Sequence, residues 1–138
     1  MKRGLLLISL ALMGLLFMKE GAGQNDTLNR YDKNGKMHGY WKRIKNDTLT
    51  YEGQFEHGIP TGIFIYYYGN KNIKSTVLYS ENGRVARTII YHPSGAMMAA
   101  GKYVEQKKDS TWKYYNEYEI LVSSEEYVMG KGHGSWKK

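Results

Sequence analysis

The chain of 138 residues has no cysteine and only two prolines. Without cysteine there is no disulfide, no thiolate metal site, no cysteine nucleophile and no lipid-bearing cysteine near the N-terminus. Packing alone must therefore hold the fold together. Charge is also unblocked. The formal net charge is +7, yet no five like charges follow one another, which argues against a nucleic-acid-binding arm and predicts no nucleic-acid partner. Beyond residue 23 no window of 11 residues repeats its apolar positions every 3.6, so no helix is expected there.

One long apolar run is present, at the start. Met1-Lys2-Arg3 is positive, Gly4 to Met18 is an uncharged run of 15 residues, and Gly21-Ala22-Gly23 is a small-residue exit before Gln24. That layout is that of a secretory signal peptide, and it is short for a membrane span of about 20 residues. Residues 1–23 are read as the signal and 24–138 as one repeat domain. The expected location is the periplasm, the cell surface or the medium, with an uncleaved N-terminal anchor as the alternative. Residues 1–23 contain Lys2, Arg3, Lys19 and Glu20, so the remainder carries +5 of the +7. Scattered positive charge of this size suits weak attraction to anionic surfaces.

What the chain has in quantity is aromatic side chains, 14% of residues with 13 tyrosines. They recur. Phe55 is followed at steps of 24 by Tyr79, Tyr103 and Tyr127. Trp41 is followed by Phe64 after 23 residues, and Phe64 at steps of 24 by Thr88, Trp112 and Trp136. Period-two alternation and turn residues at Asn34-Gly35, Asn46-Asp47, His57 to Thr61 with Gly58 and Pro60, Asn82-Gly83 and Pro93-Ser94-Gly95 break the text into short strands, with Glu105 to Asp109 read as a charged loop and Gln24 to Arg30 as a frayed start. The predicted fold is all-β, an antiparallel meander of hairpins of about 24 residues forming an extended, curved single sheet with about nine strands. Trp41, Phe55, Phe64, Tyr79, Tyr103, Trp112, Tyr127 and Trp136 are the predicted structural repeat. Gly39, Gly53, Gly62 and Gly101 lie near these rings, where a strand glycine makes room for a neighbour or permits a sharp twist. Thr88 breaks the aromatic series, marking the third unit as the weakest or the most adapted.

The elements Gly39-Tyr40-Trp41-Lys42, Gly62-Ile63-Phe64-Ile65-Tyr66-Tyr67, Ser110-Thr111-Trp112-Lys113-Tyr114-Tyr115 and Gly134-Ser135-Trp136-Lys137 resemble the Gly-x-Trp-x-x-Tyr strands of MORN-variant repeats. Tyr51-Glu52-Gly53-Gln54-Phe55-Glu56-His57-Gly58 resembles the strand and turn that lie between them. The resemblance spans Tyr31 to Lys138. It implies a curved sheet of consecutive hairpins and a binding or scaffolding role. Many bacterial members are labelled as the antitoxin of a toxin–antitoxin pair, a role that normally belongs to the cytoplasm and sits poorly with an export signal. Thr88, Ser110 in place of glycine, and the first spacing of 23 depart from the pattern.

No catalytic set emerges. The chain has no Gly-x-Ser-x-Gly, no His-Glu-x-x-His and no phosphate-binding glycine loop. His38, His57, His92 and His133 stand at turns or recur with the repeat, and read as turn residues with no carboxylate placed by sequence to orient them. Glu117, Glu119, Glu125 and Glu126 read as a solvated strand face paired with lysines. No catalytic residue, metal ligand or cofactor is expected. Asn25-Asp26-Thr27 and Asn46-Asp47-Thr48 match a glycan acceptor. The binding candidates are Tyr66, Tyr67, Tyr68, Tyr114 and Tyr115 with Lys113, because consecutive tyrosines in a strand place one on each face. The expected partner is a protein; a toxin, envelope glycan and lipid headgroups are the alternatives.

Overall fold

The computed structural model describes residues 28–132. Residues 1–23, read from the sequence as a signal, Asn25-Asp26-Thr27, His133 and Trp136 lie outside them. Ten antiparallel strands form one sheet in simple sequence order: β1 (Arg30–Tyr31), β2 (Met37–Lys45), β3 (Thr48–Glu56), β4 (Ile59–Tyr67), β5 (Ile73–Ser80), β6 (Val85–Tyr91), β7 (Met97–Val104), β8 (Lys107–Tyr115), β9 (Leu121–Val128) and β10 (Lys131–Gly132). Among the described residues there is no helix. The all-β meander read from the sequence is the observed architecture.

Strand boundaries differ from expectation in three places. Pro60, expected in a turn, is the second residue of β4. It stands beside the two-residue His57-Gly58 turn and just before a bulge, where a missing N–H is tolerated. Lys107 to Asp109 belong to β8 and not to a charged loop, because Glu105 and Gln106 close the hairpin alone, with φ of 50° and 66°. Leu28 to Arg30, expected to fray, are pinned to β2. The Asn29 amide N–H donates to the Tyr40 carbonyl at 2.9 Å, and its side chain both accepts from Lys42 N–H and donates to Lys42 C=O, at 2.8 and 3.2 Å.

One face of the sheet gathers the aromatic repeat. Pairing aligns Trp41, Gly53, Phe64, Val77, Thr88, Gly101, Trp112 and Glu125 in a row across eight strands. Phe64 is 1% exposed and Trp112 fully buried. Each lies on a glycine: a Cβ on Gly53 would come within 2.4 Å of the Phe64 ring, and one on Gly101 within 2.2 Å of Trp112. Phe55, Tyr79 and Tyr103 form the adjoining row, and rings from the two rows meet edge to face. Trp41–Phe55, Phe55–Phe64, Phe64–Tyr79 and Tyr103–Trp112 have centroids 6.4, 5.1, 5.1 and 4.9 Å apart. Such contacts add about 0.5–1.5 kcal/mol each beyond the area they bury. Tyr31, 24 residues before Phe55, extends the row; its ring lies 5.0 Å from that of Trp41.

The third unit is built differently. In β4, Gly62 to Phe64 bulge opposite Gly53; in β8, Ser110 to Trp112 bulge opposite Gly101. Gly62 and Ser110 take φ of 68° and 60°. Ala86 holds this place in β6. A left-handed alanine costs roughly 1–2 kcal/mol, and β6 instead pairs with β5 in unbroken register from Val85 to Ile90. The two residues that the other units place in the bulge lengthen the turn, which runs over the four residues Glu81-Asn82-Gly83-Arg84. The period of 24 is kept while the geometry changes.

Candidate functional site

The consequence of the altered unit is a groove on the aromatic face, of about 640 Å³, over β4 to β7. Its floor is Val77, Ala86 and Thr88, and Tyr66, Tyr79, Ile90 and Tyr103 wall it. Thr88 is 7% exposed and directly opposite Val77 and Gly101. The long β5–β6 turn supplies one end through Asn82 and Gly83, which pack near Ile59 and Pro60. The groove is thus found where Thr88 takes the place that Phe64 and Trp112 fill in the neighbouring units.

Polar groups in the groove are few. The hydroxyls of Tyr66 and Tyr79 meet at 3.3 Å. Burial, with the Tyr79 contact second, pushes the Tyr66 phenol well above its ordinary pKa, so it is neutral at physiological pH. Two cations border the site. Arg84 is paired with Glu81 across the turn. Lys74 lies with its ammonium 5.9 Å from the centre of the Tyr68 ring. Among the described residues no carboxylate lines the groove.

The fourth unit shows the contrasting arrangement. Lys108, 24 residues after Arg84, places its ammonium 4.9, 5.3 and 5.1 Å from the ring centres of Trp112, Tyr114 and Tyr127 and donates to the Tyr114 hydroxyl at 2.6 Å. There a full-sized ring fills the row and a lysine covers it. In the third unit Arg84 is drawn back to Glu81 and the floor stays open.

The binding candidates separate. Tyr66 lines the groove, and Tyr114 belongs to the Lys108 cluster. Tyr67 points to the second face, where it is half-buried and donates to Glu52 at 2.7 Å, beside Tyr40. Burial, then Glu52, pushes both phenols up. Lys113 is exposed on that second face, opposite Ala100. Tyr68 donates to the Tyr91 carbonyl at 2.6 Å, and His92, 24 residues later, places Nε2 3.1 Å from the Tyr115 carbonyl. These two side chains tie successive turns together along one edge of the sheet. On the second face Tyr40 and Tyr67 are thus half-buried against Glu52.

Two histidines meet in a way that sequence reasoning missed. The rings of His38 and His57 lie 4.4 Å apart at a tilt of 33°, His57 N–H donates to His38 Nδ1, and His57 Nδ1 lies 2.7 Å from Asp32. The His57 contact first, then the Lys36 amide, lowers the Asp32 carboxyl to about 2. Both Nδ1 atoms are occupied, and no group of His, Asp and Glu among the described residues is arranged to hold a metal ion. The cluster fastens the β1–β2 turn to the β3–β4 turn. Comparison of the chain with protein-family models, with curated proteins and with solved structures finds no match, so the likeness to MORN-variant repeats rests on its motifs.

Proposed function

We propose that this chain is an exported, non-enzymatic repeat module that binds a protein through the groove at Thr88. The observation that carries the reading is the break in the aromatic series, which coincides with an open, tyrosine-walled groove of about 640 Å³. A volume of that order lies within the range of about 300–1,000 Å³ typical of binding pockets. The N-terminal apolar segment supports export. Conserving a repeat of 24 residues while altering one unit is an economical way to place a binding feature on a rigid sheet.

The test is affinity capture from envelope extract with the wild-type chain and with Thr88→Trp, which fills the groove. A partner retained by the wild type and lost by the variant is the expected result. Equal retention by both would refute the groove as the binding surface. Export is checked by N-terminal sequencing of the secreted or periplasmic fraction, which is expected to begin near Gln24; intact chain confined to the cytosol would overturn it and favour the antitoxin alternative.

A further inference from the structure

On the aromatic face the edge-to-face ladder is interrupted between Tyr79 and Tyr103. Phe55 touches a ring on each side, Trp41 and Phe64. Tyr79 touches Phe64 on one side and Tyr103 touches Trp112 on the other. Between Tyr79 and Tyr103 the row offers Thr88, which has no ring to place between them. Both tyrosines line the groove. Tyr79 and Tyr103 thus hold, around Thr88, the register positions that Phe55 and Tyr79 hold around Phe64.

Resting on the reading that the groove binds a protein, we propose that its occupant is an aromatic side chain, tryptophan or phenylalanine, carried by an acidic segment of the partner. Three observations lead to this chemistry. The floor of Val77, Ala86 and Thr88 is small, and the one floor hydroxyl, that of Thr88, is directed to the Ala86 carbonyl at 3.5 Å, so a planar ring can lie over it. A ring there completes the ladder with Tyr79 and Tyr103, as Phe64 does between Phe55 and Tyr79. The charged residues lining the groove are Lys74 and Arg84, and Lys74 has no carboxylate within 4 Å among the described residues. Arg84 is balanced by Glu81, so acidic residues flanking the inserted ring would meet the charge of Lys74, which speeds encounter and selects against basic partners. Residues 24–138 carry +5 of the formal +7. The hydroxyls of Tyr66 and Tyr79 add a polar point, suited to an indole N–H or a backbone group of the segment.

The probes are three fluorescently labelled peptides: an acidic peptide with one central tryptophan, the same peptide with alanine in its place, and a third with its acidic residues replaced by lysine. Binding to the full-length protein is followed by anisotropy at low and high salt. The tryptophan peptide is expected to bind, the alanine peptide about tenfold or more weakly, and the lysine peptide weakly or not at all. Salt should weaken the tryptophan peptide. Thr88→Trp should abolish its binding while keeping the β-sheet circular dichroism. Lys74→Glu, an exposed site that leaves the core intact, should reverse the preference between acidic and basic peptides. Equal binding of tryptophan and alanine peptides would overturn the aromatic anchor, and indifference to Lys74→Glu the acidic flank. Should the peptides fail while Thr88→Trp still loses the partner captured from extract, the chemistry assigned to the occupant is wrong and the groove reading stands. If that capture survives Thr88→Trp, both fall. A concentration-dependent dimer dissolved by Thr88→Trp would assign the ring to a second copy and overturn a separate partner.

Discussion

At the scale of single residues the aromatic face is governed by how closely rings approach backbone. Gly53 and Gly101 lack side chains because Phe64 and Trp112 occupy that space, at 2.4 and 2.2 Å from where a Cβ would stand. The close atoms belong to rings that are themselves held by neighbours, so they cannot simply swing aside. Gly53→Ala and Gly101→Ala are each expected to cost about 1–3 kcal/mol by overpacking. Gly69 has open space and no positive φ, so Gly69→Ala should stay within about 0.5 kcal/mol. Urea midpoints of the three variants make the comparison; equal shifts would mean that ring approach is not the reason for glycine in the strands. Thr88 poses the reverse case. It faces the common core and borders open volume, so Thr88→Trp should raise stability by about 0.5–1.5 kcal/mol through contacts with Tyr79 and Tyr103. A lowered midpoint would show that Val77 and Tyr66 leave no room for the indole.

At the scale of elements, turns and bulges trade residues. Ala86 in place of glycine removes the β6 bulge, and the β5–β6 turn takes up the difference. The alternation of side chains and the period of 24 made the meander legible in the sequence, because both are local or strictly periodic signals. The aromatic rows were legible for the same reason, apart from Tyr31, whose membership needed β1 to be recognised as a strand. The groove was legible only as the anomaly at Thr88; its walls depend on the missing bulge, which shifts no residue out of period. The Asp32–His57 contact joins residues 25 apart in different turns, and no spacing rule marks it. That contact makes a prediction. The Asp32 carboxyl is at about 2 in the fold against an ordinary 3.8. A lowered carboxylate pKa stabilises the fold above 3.8, and the contribution is lost as pH falls through about 2. Asp32→Asn should therefore be less stable than the wild type at neutral pH, with the two denaturation midpoints converging as pH approaches about 2. A constant gap between them across that range would detach the turn contact from acid stability.

Residues 28–132 form one layer of sheet, and its stability is close to a sum over hairpins and the interfaces between them. Tyrosines spread along it report on whether it opens as a unit. Tyr40 lies on β2, Tyr66 and Tyr67 on β4, and Tyr127 on β9. Burial raises the first three well above the ordinary 10.0, while the Glu125 hydrogen bond, ahead of burial, lifts Tyr127 to about 12. The sign follows from the neutral form being the one the fold prefers. These groups leave stability untouched below 10.0 and withdraw it as pH rises through the folded values, since the unfolded chain ionises first. Alkaline titration followed by tyrosinate absorbance and by circular dichroism should thus show the late tyrosinates appearing together with loss of sheet signal. The groove makes the third unit the thinnest interface, because the ladder between Tyr79 and Tyr103 is incomplete there. If that interface limits cooperativity, β8 and β9 with Tyr127 should ionise and open before β2 to β5 with Tyr40, Tyr66 and Tyr67, giving two alkaline steps. Tyr127→Phe would then remove amplitude from the first step alone. Thr88→Trp, by completing the ladder, should merge the two steps into one. A single step in the wild type, unchanged by Thr88→Trp, would mean that backbone pairing of β6 with β5 and β7 transmits cooperativity without the ring that Thr88 omits.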